Sequence, residues 1–219
     1  MKQNILLLLS LLFSFSSCGN NEATLQNDSV FKKMTSTNNS TNKMIDTLTI
    51  GGGCFWCVEA QLQQLKGVLT VTSGYAGGSN KNPTYKEVCT GLTGHAEVIR
   101  VTFDNSIISI DEMLAAFWQA HDPTQLNRQG NDVGTQYRSV IFYRNDEQKK
   151  IAEDYKKKLN DEKVYDNPVV TEISPLSIFY AAENYHQNYY NENATQGYCQ
   201  FVIAPKLEKF KKVFKDKLK

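Results

Sequence analysis

Strand and helix signals alternate along residues 46–219, and this predicts an α/β (α+β) domain. The expected form is a two-layer sandwich: a mixed sheet of about four to five strands with helices packed on it. Two further observations point the same way. The helical segments are amphipathic, so each needs one apolar surface to cover it. Gaps of hairpin length are scarce, which favours a mixed sheet over a purely antiparallel one.

The elements follow in order. "DTLTIGG" (46–52) is a short strand running into glycines. "CFWCVEAQLQQLKG" places Phe55, Val58, Leu62 and Leu65 on one helical stripe, with Gly67 as its stop. "VLTVTSGYAGG" is a β-branched strand closed by glycines. "SNKNPTYKEVCTGLTG" is mostly loop, with one short helix around 85–89. "HAEVIRVTFD" is a strand, and residues 111–120, "DEMLAAFWQA", form a helix with Asp111 near its start. The eighteen polar residues 121–138 read as a long loop, and loops of that length in compact domains are usually functional. "SVIFY" is a buried strand. The amphipathic helix "NDEQKKIAEDYKKKLND" is capped by Asn145. "NPVVTEIS" is a further strand and "AAENYHQNYY" reads as helix. Residues 206–219 carry seven lysines, with Leu207, Phe210, Val213, Phe214 and Leu218 on the opposite face. That pattern fits a packed helix with a solvated basic side.

The N-terminal part has a different character. "MKQNILLLLSLLFSFSSC" joins Lys2 to an eleven-residue apolar run, Ile5–Phe15, and then to small residues before Cys18. The run is shorter than the roughly 17–25 residues that span a bilayer. It has the form of a secretory signal peptide over 1–18, and Ser16-Ser17 before Cys18 resembles a lipobox. Cys18 is therefore the expected lipidation site. The expected localisation is export, with the protein anchored as a lipoprotein on the periplasmic or outer face of a bacterial envelope, touching the membrane through its lipid only. Residues 19–45, rich in Asn, Ser and Thr, read as a disordered polar tether to a catalytic domain at 46–219.

Composition narrows the function. A net charge of +1 argues against nucleic acid as a partner. Five cysteines in 219 residues are too few for a disulfide framework. The distinctive stretch is "TIGGGCFWCVEA" (49–60). Glycines after a strand let the backbone turn sharply, and a helix starting at the next residue puts Cys54 at its N-terminus. The free N–H groups and helix dipole there favour a thiolate. One reading is a zinc clip, although no second close pair of ligands accompanies the C-x2-C, so no metal is expected. Another is a thioredoxin-like exchange pair, though Phe-Trp is a bulky spacer for one. A third is a glycine turn with inert thiols. The fourth is one nucleophile beside an aromatic wall. A different class altogether is a surface lipoprotein that binds partners through its basic tail.

Four ordered blocks go beyond the C-x2-C. "GGGCFWCVEA" resembles the "GCFW" signature of A-type peptide-methionine sulfoxide reductases. "GYAGG" (74–78), "NPTYKEVCTGLTGHAEVIRVTFD" (82–104), "HDPTQLNRQGNDVGTQYRS" (121–139) and "AAENYHQNYY" (181–190) resemble later blocks of that family, over roughly 47–210. The resemblance implies a ferredoxin-like sheet and reduction of methionine sulfoxide, S epimer, free or in proteins. It assigns Cys54 as the nucleophile and Glu97 as the acid that protonates the sulfoxide oxygen. Tyr85 and Tyr137 become the phenols that hydrogen-bond this oxygen. Phe55 and Trp56 hold the substrate methyl, and Asp132 contacts the substrate backbone. A sulfoxide is a poor electrophile until its oxygen gains a proton, so these groups suit the chemistry. The product on Cys54 is a sulfenic acid, which a second thiol must resolve.

Here the sequence departs from the family's common pattern. Many members carry glycine at the position of Cys57, and resolving cysteines in a glycine-rich tail. This chain ends in "GYCQFVIAPKLEKF". Cys199 is the expected resolver, on a loop-like "TQGYC", with Cys57 as the alternative. No bound cofactor is expected. The electron donor implied is a thioredoxin-like dithiol, and the chain is expected to be a monomer.

Overall fold

The structure is a computed structural model that describes residues 44–219. The expected signal peptide, Cys18 and nearly all of the expected tether lie outside the described residues. β1 (Ile45–Gly51) leads through Cys54 into α1 (Phe55–Leu62), β2 (Val68–Ala76), α2 (Tyr85–Cys89) and β3 (Ala96–Asp104). α3 (Ile110–Ala120) precedes a small hairpin, β4 (Arg128–Gln129) and β5 (Asp132–Val133). β6 (Val140–Tyr143), α4 (Asp146–Asp161), β7 (Glu172–Pro175) and β8 (Phe179–Ala181) follow. The chain closes with α5 (Tyr189–Glu192), a π-helical turn at Cys199–Ile203 and α6 (Ala204–Val213).

The main sheet has six strands in the order β7-β6-β1-β3-β2-β8. Its centre, β6-β1-β3-β2, is antiparallel throughout, and β7 joins β6 in parallel, so the sheet is mixed as expected. The centre carries the ferredoxin-like order. The strand number is a correction. β8 adds an edge beyond the five strands marked in the sequence, and its three residues are too few for alternation to show.

Strand parity divides the core. Leu48, Ile50, Ile99, Val101, Phe103 and Ile141 face the helices, where Val58, Leu62, Met113, Leu114, Phe117, Trp118 and Leu159 meet them. Ala76, Ala96, Val98, Val140 and Phe142 point to the other side and pack under Leu176 and Phe179. The same parity sends Glu97 to the helix side, two residues before Ile99.

Three element expectations need correcting. α1 stops at Leu62 rather than running to Gly67; Leu65 instead bridges to Leu218, and Gly67 turns the chain at φ +86°. "NPVVTEIS" is extended as a strand only from Glu172, although Val169 is buried. "AAENYHQNYY" is not a continuous helix. Its start belongs to β8, and Asn188 sits in the left-handed region at φ +52°. Backbone donors here go to distant side chains: Asn188 N–H and Tyr189 N–H donate to the Glu59 carboxylate at 2.9 and 3.1 Å. The Gln187 amide nitrogen donates to Ser73 O and Ala182 O. Tertiary bonds thus replace the i→i−4 ladder that would make a helix.

Candidate active site

Gly51-Gly52-Gly53 packs where side chains would not fit. A Cβ on Gly51 would lie 2.4 Å from Glu97 O, and one on Gly52 would lie 2.8 Å from the His121 ring. Gly53 alone of the three has a positive φ, +86°, and its N–H donates to Tyr137 O at 3.2 Å. The glycines therefore bring β1, Glu97 and Tyr137 together around the start of α1.

Cys54 is the N-cap of α1 with non-helical backbone, and Cys57 N–H donates to Cys54 O at 3.0 Å. The Phe55 N–H donates to Glu97 Oε2 at 3.1 Å, so Glu97 sits on the first free donor of the helix. Glu97 is 1% exposed. Burial, opposed in part by the Phe55 bond, pushes its carboxyl up to about 8, so at neutral pH it is mostly the neutral acid.

The thiols correct one expectation. Burial, a hydrogen bond to Cys57 and the Glu97 charge together push the Cys54 thiol up, against the pull of the helix start. Cys57 is held down, first by the hydrogen bond from Cys54, then by Lys206 and Tyr198. In the resting site the two thiols are thus pushed in opposite directions, Cys54 up and Cys57 down.

Aromatic rings surround this point. Phe55 is buried, stacks with Tyr85 at 6.4 Å between centroids and lies 5.0 Å from His186. It is a floor rather than an open wall. Trp56 is half-exposed; it stacks on Tyr189 at 3.6 Å and donates from Nε1 to His186 Nδ1 at 3.2 Å. Tyr198 meets its edge at 5.9 Å. Burial and then the Glu97 charge raise both Tyr85 and Tyr137, so both phenols keep their protons and lie within electrostatic reach of that carboxyl. Asp132, on β5, accepts from Tyr198 OH at 2.9 Å.

Cys54, Phe55, Trp56, Tyr85, Glu97, Asp132 and Tyr137 thus converge, from α1, α2, β3, β5 and the turn before β6. Cys199 does not sit on a loop. It is fully buried in the π-helical turn, and burial raises its thiol. Cys89 is exposed. Sequence reasoning missed Glu183, which accepts from Tyr85 N–H and Tyr75 OH at 2.9 Å each and so fixes α2 over the site. It also missed Tyr189 and Tyr198 as ring partners of Trp56. The weak signal was a run of tyrosines beside His186 and Cys199, which composition cannot separate from core.

Comparison with known proteins gives a consistent picture. The family model described as peptide methionine sulfoxide reductase matches residues 46–218. A peptide methionine sulfoxide reductase MsrA of a Nitratiruptor species is 57% identical over 175 residues, covering 80% of this chain and 99% of the relative. The protein of the same name from Saccharolobus solfataricus is 54% identical over 175 residues, covering 80% and 98%. Among solved structures, methionine sulfoxide reductase A of Corynebacterium diphtheriae is 38% identical with a TM-score of 0.63, covering 74% of this chain and 80% of that one. Mxr1 from Saccharomyces cerevisiae in reduced form is 32% identical with a TM-score of 0.65, covering 75% and 93%.

Proposed function

The chain belongs to the peptide methionine sulfoxide reductase family, and from that premise we propose how its residues divide the reaction. The protein is an oxidoreductase that reduces methionine sulfoxide to methionine, a repair activity on oxidised proteins. In our reading the substrate is the S epimer, free or in a polypeptide, with its methyl against Trp56 over the Phe55 floor. Asp132 meets the substrate backbone.

Cys54 attacks the sulfoxide sulfur as the thiolate, while Glu97 gives its proton to the oxygen. The oxygen leaves the substrate, methionine is released and Cys54 becomes a sulfenic acid. Tyr85 and Tyr137 donate to the oxygen as its charge changes. The observation that carries this reading is a neutral carboxyl, buried beside the helix start that holds Cys54. A neutral Glu97 has two consequences: it is ready to donate, and it removes one of the charges that hold the Cys54 thiol up. The experiment is single turnover by Glu97→Gln, in which the reductive step should fall steeply; an unchanged rate removes Glu97 as the acid.

For resolution we propose Cys57 in place of the Cys199 expected from the sequence. Cys54 stands outside the helix as its N-cap, so the sulfurs approach without the helix distorting. The influence of Cys54 on the Cys57 thiol supports this pairing, and the full burial of Cys199 weighs against it as first partner. The disulfide then needs an external dithiol, for which a thioredoxin-like protein is the proposed donor. We also propose that the protein is exported and tethered through lipidated Cys18, as a monomer. This rests on the charged start, short apolar run and small residues before Cys18. A fatty-acid label lost in Cys18→Ala is the expected result, and an unlabelled wild type sinks the anchor.

A further inference from the structure

Of the seven lysines at 206–219, Lys206 does not share the solvated basic side that the sequence suggests. It is half-buried in the first turn of α6, and its Nζ reaches Cys57 Sγ at 3.9 Å. Its own carbonyl accepts from Gln61 Nε2 of α1 at 3.3 Å, which ties the two helices at this point. The π-helical turn at Cys199–Ile203 immediately before α6 changes the phase of the chain there, and such turns often mark functional sites. Pro205 sits in the first turn, where its missing N–H costs nothing.

We propose that Lys206 is the positioning residue for the second half of the reaction: its ammonium holds Cys57 as the thiolate that resolves the Cys54 sulfenic acid. The inference rests on the reading of Cys57 as resolver and deepens it. Every charged or titratable group facing Cys57 has a definite part. Cys54, the N-cap ahead of α1, helps to hold the Cys57 thiol down in the resting site, and its thiol is gone once Cys54 carries oxygen. Tyr198 OH lies 3.9 Å from Cys57 Sγ and helps to hold that thiol down as a neutral hydroxyl, although it also donates to Asp132 Oδ2 at 2.9 Å. Asp132 from β5 and Glu97 from β3 disfavour negative charge on Cys57. Cys199, in the turn before α6, is raised in part by Cys57. After the sulfoxide step Lys206 is therefore the group that favours the Cys57 anion by charge.

The step balances. Cys57–S⁻ attacks the Cys54 sulfur of Cys54–S–OH, the S–O bond breaks, and the departing hydroxide takes one proton from solvent and leaves as water. Two sulfurs end as one disulfide, the electron pair of Cys57 forms the S–S bond, and Lys206 is not consumed.

The test uses the full chain with Lys206→Met, Lys206→Arg and Cys57→Ser. Methionine sulfoxide is added without reductant, and the life of the sulfenic acid is read by a dimedone-type trap across pH. In Lys206→Met, release of one equivalent of methionine should persist. Its sulfenic acid should last about tenfold longer at pH 7 and recover the wild-type life at higher pH. Lys206→Arg should restore the wild-type profile. A Lys206→Met profile that superimposes on wild type, while Cys57→Ser accumulates sulfenic acid, overturns the role of Lys206 and leaves Cys57 as resolver. If Cys57→Ser resolves as fast as wild type, the resolver reading fails and the inference with it. A merely structural lysine would not move the pH profile.

Discussion

At the scale of single residues, Glu97 links stability to chemistry. Its folded value, about 8, lies above the ordinary 4.5 of a glutamate because burial penalises the charge. The sign follows directly. Below 4.5 both folded and unfolded chains hold the proton. Between 4.5 and about 8 the folded chain keeps a proton that the unfolded chain has lost, so stability falls as pH rises through this window. Glu97→Gln removes that slope, and its urea midpoint should gain on wild type as pH approaches 8. At the same time its reductive step should slow by about 10²–10⁴-fold, the usual range for a lost general acid. A variant with wild-type rate, or with the wild-type pH slope of stability, contradicts the assignment. Glu97 was singled out through the family resemblance, and strand parity alone would have buried it beside Ile99. The ionisation order of the thiols was not legible. A helix start argues for a Cys54 thiolate, but burial, Cys57 and Glu97 outweigh it, and all three come from packing.

At the scale of elements, capping shows what short-range sequence can and cannot say. Asn145 was readable as the cap of α4, and its side chain accepts from Gln148 N–H at 2.8 Å. α3 is capped by Ser109, two residues before the Asp111 that marked its start, in a reciprocal box with Glu112. Thr84 and Glu87 form the same box on α2 and thereby hold Tyr85 at the first helical position. Ser109→Ala should cost about 1 kcal/mol and lower Tm by about 2–4 °C. Sulfoxide turnover should stay at the wild-type level, because Ser109 touches none of the site residues. A loss of turnover without loss of Tm would mean that α3 does more than carry core. The segment 181–190 was misread because its hydrogen bonds run to Glu59, Ser73 and other distant partners, which no local pattern encodes.

At the scale of the whole molecule, the fold assembles one site from strands and helices far apart in the chain. β1 delivers Cys54 and β3 delivers Glu97. The long polar segment 121–138 delivers Asp132 and Tyr137, as its length suggested, and the tail returns Tyr198 and Lys206 to α1. The sheet centre and the block of site residues were legible because they rest on periodicity and on contiguous motifs. The edge strand β8 and the return of the tail were not, since they depend on a three-residue pairing and on contacts across more than a hundred residues. The central claim is that Cys54 takes the oxygen and Cys57 removes it. The direct measurement is peptide mass spectrometry of the full chain after one equivalent of S-epimer methionine sulfoxide without reductant. One equivalent of methionine with a Cys54–Cys57 disulfide is the expected result. Methionine formed with a disulfide that leaves out Cys54 or Cys57, or no methionine at all, would contradict it.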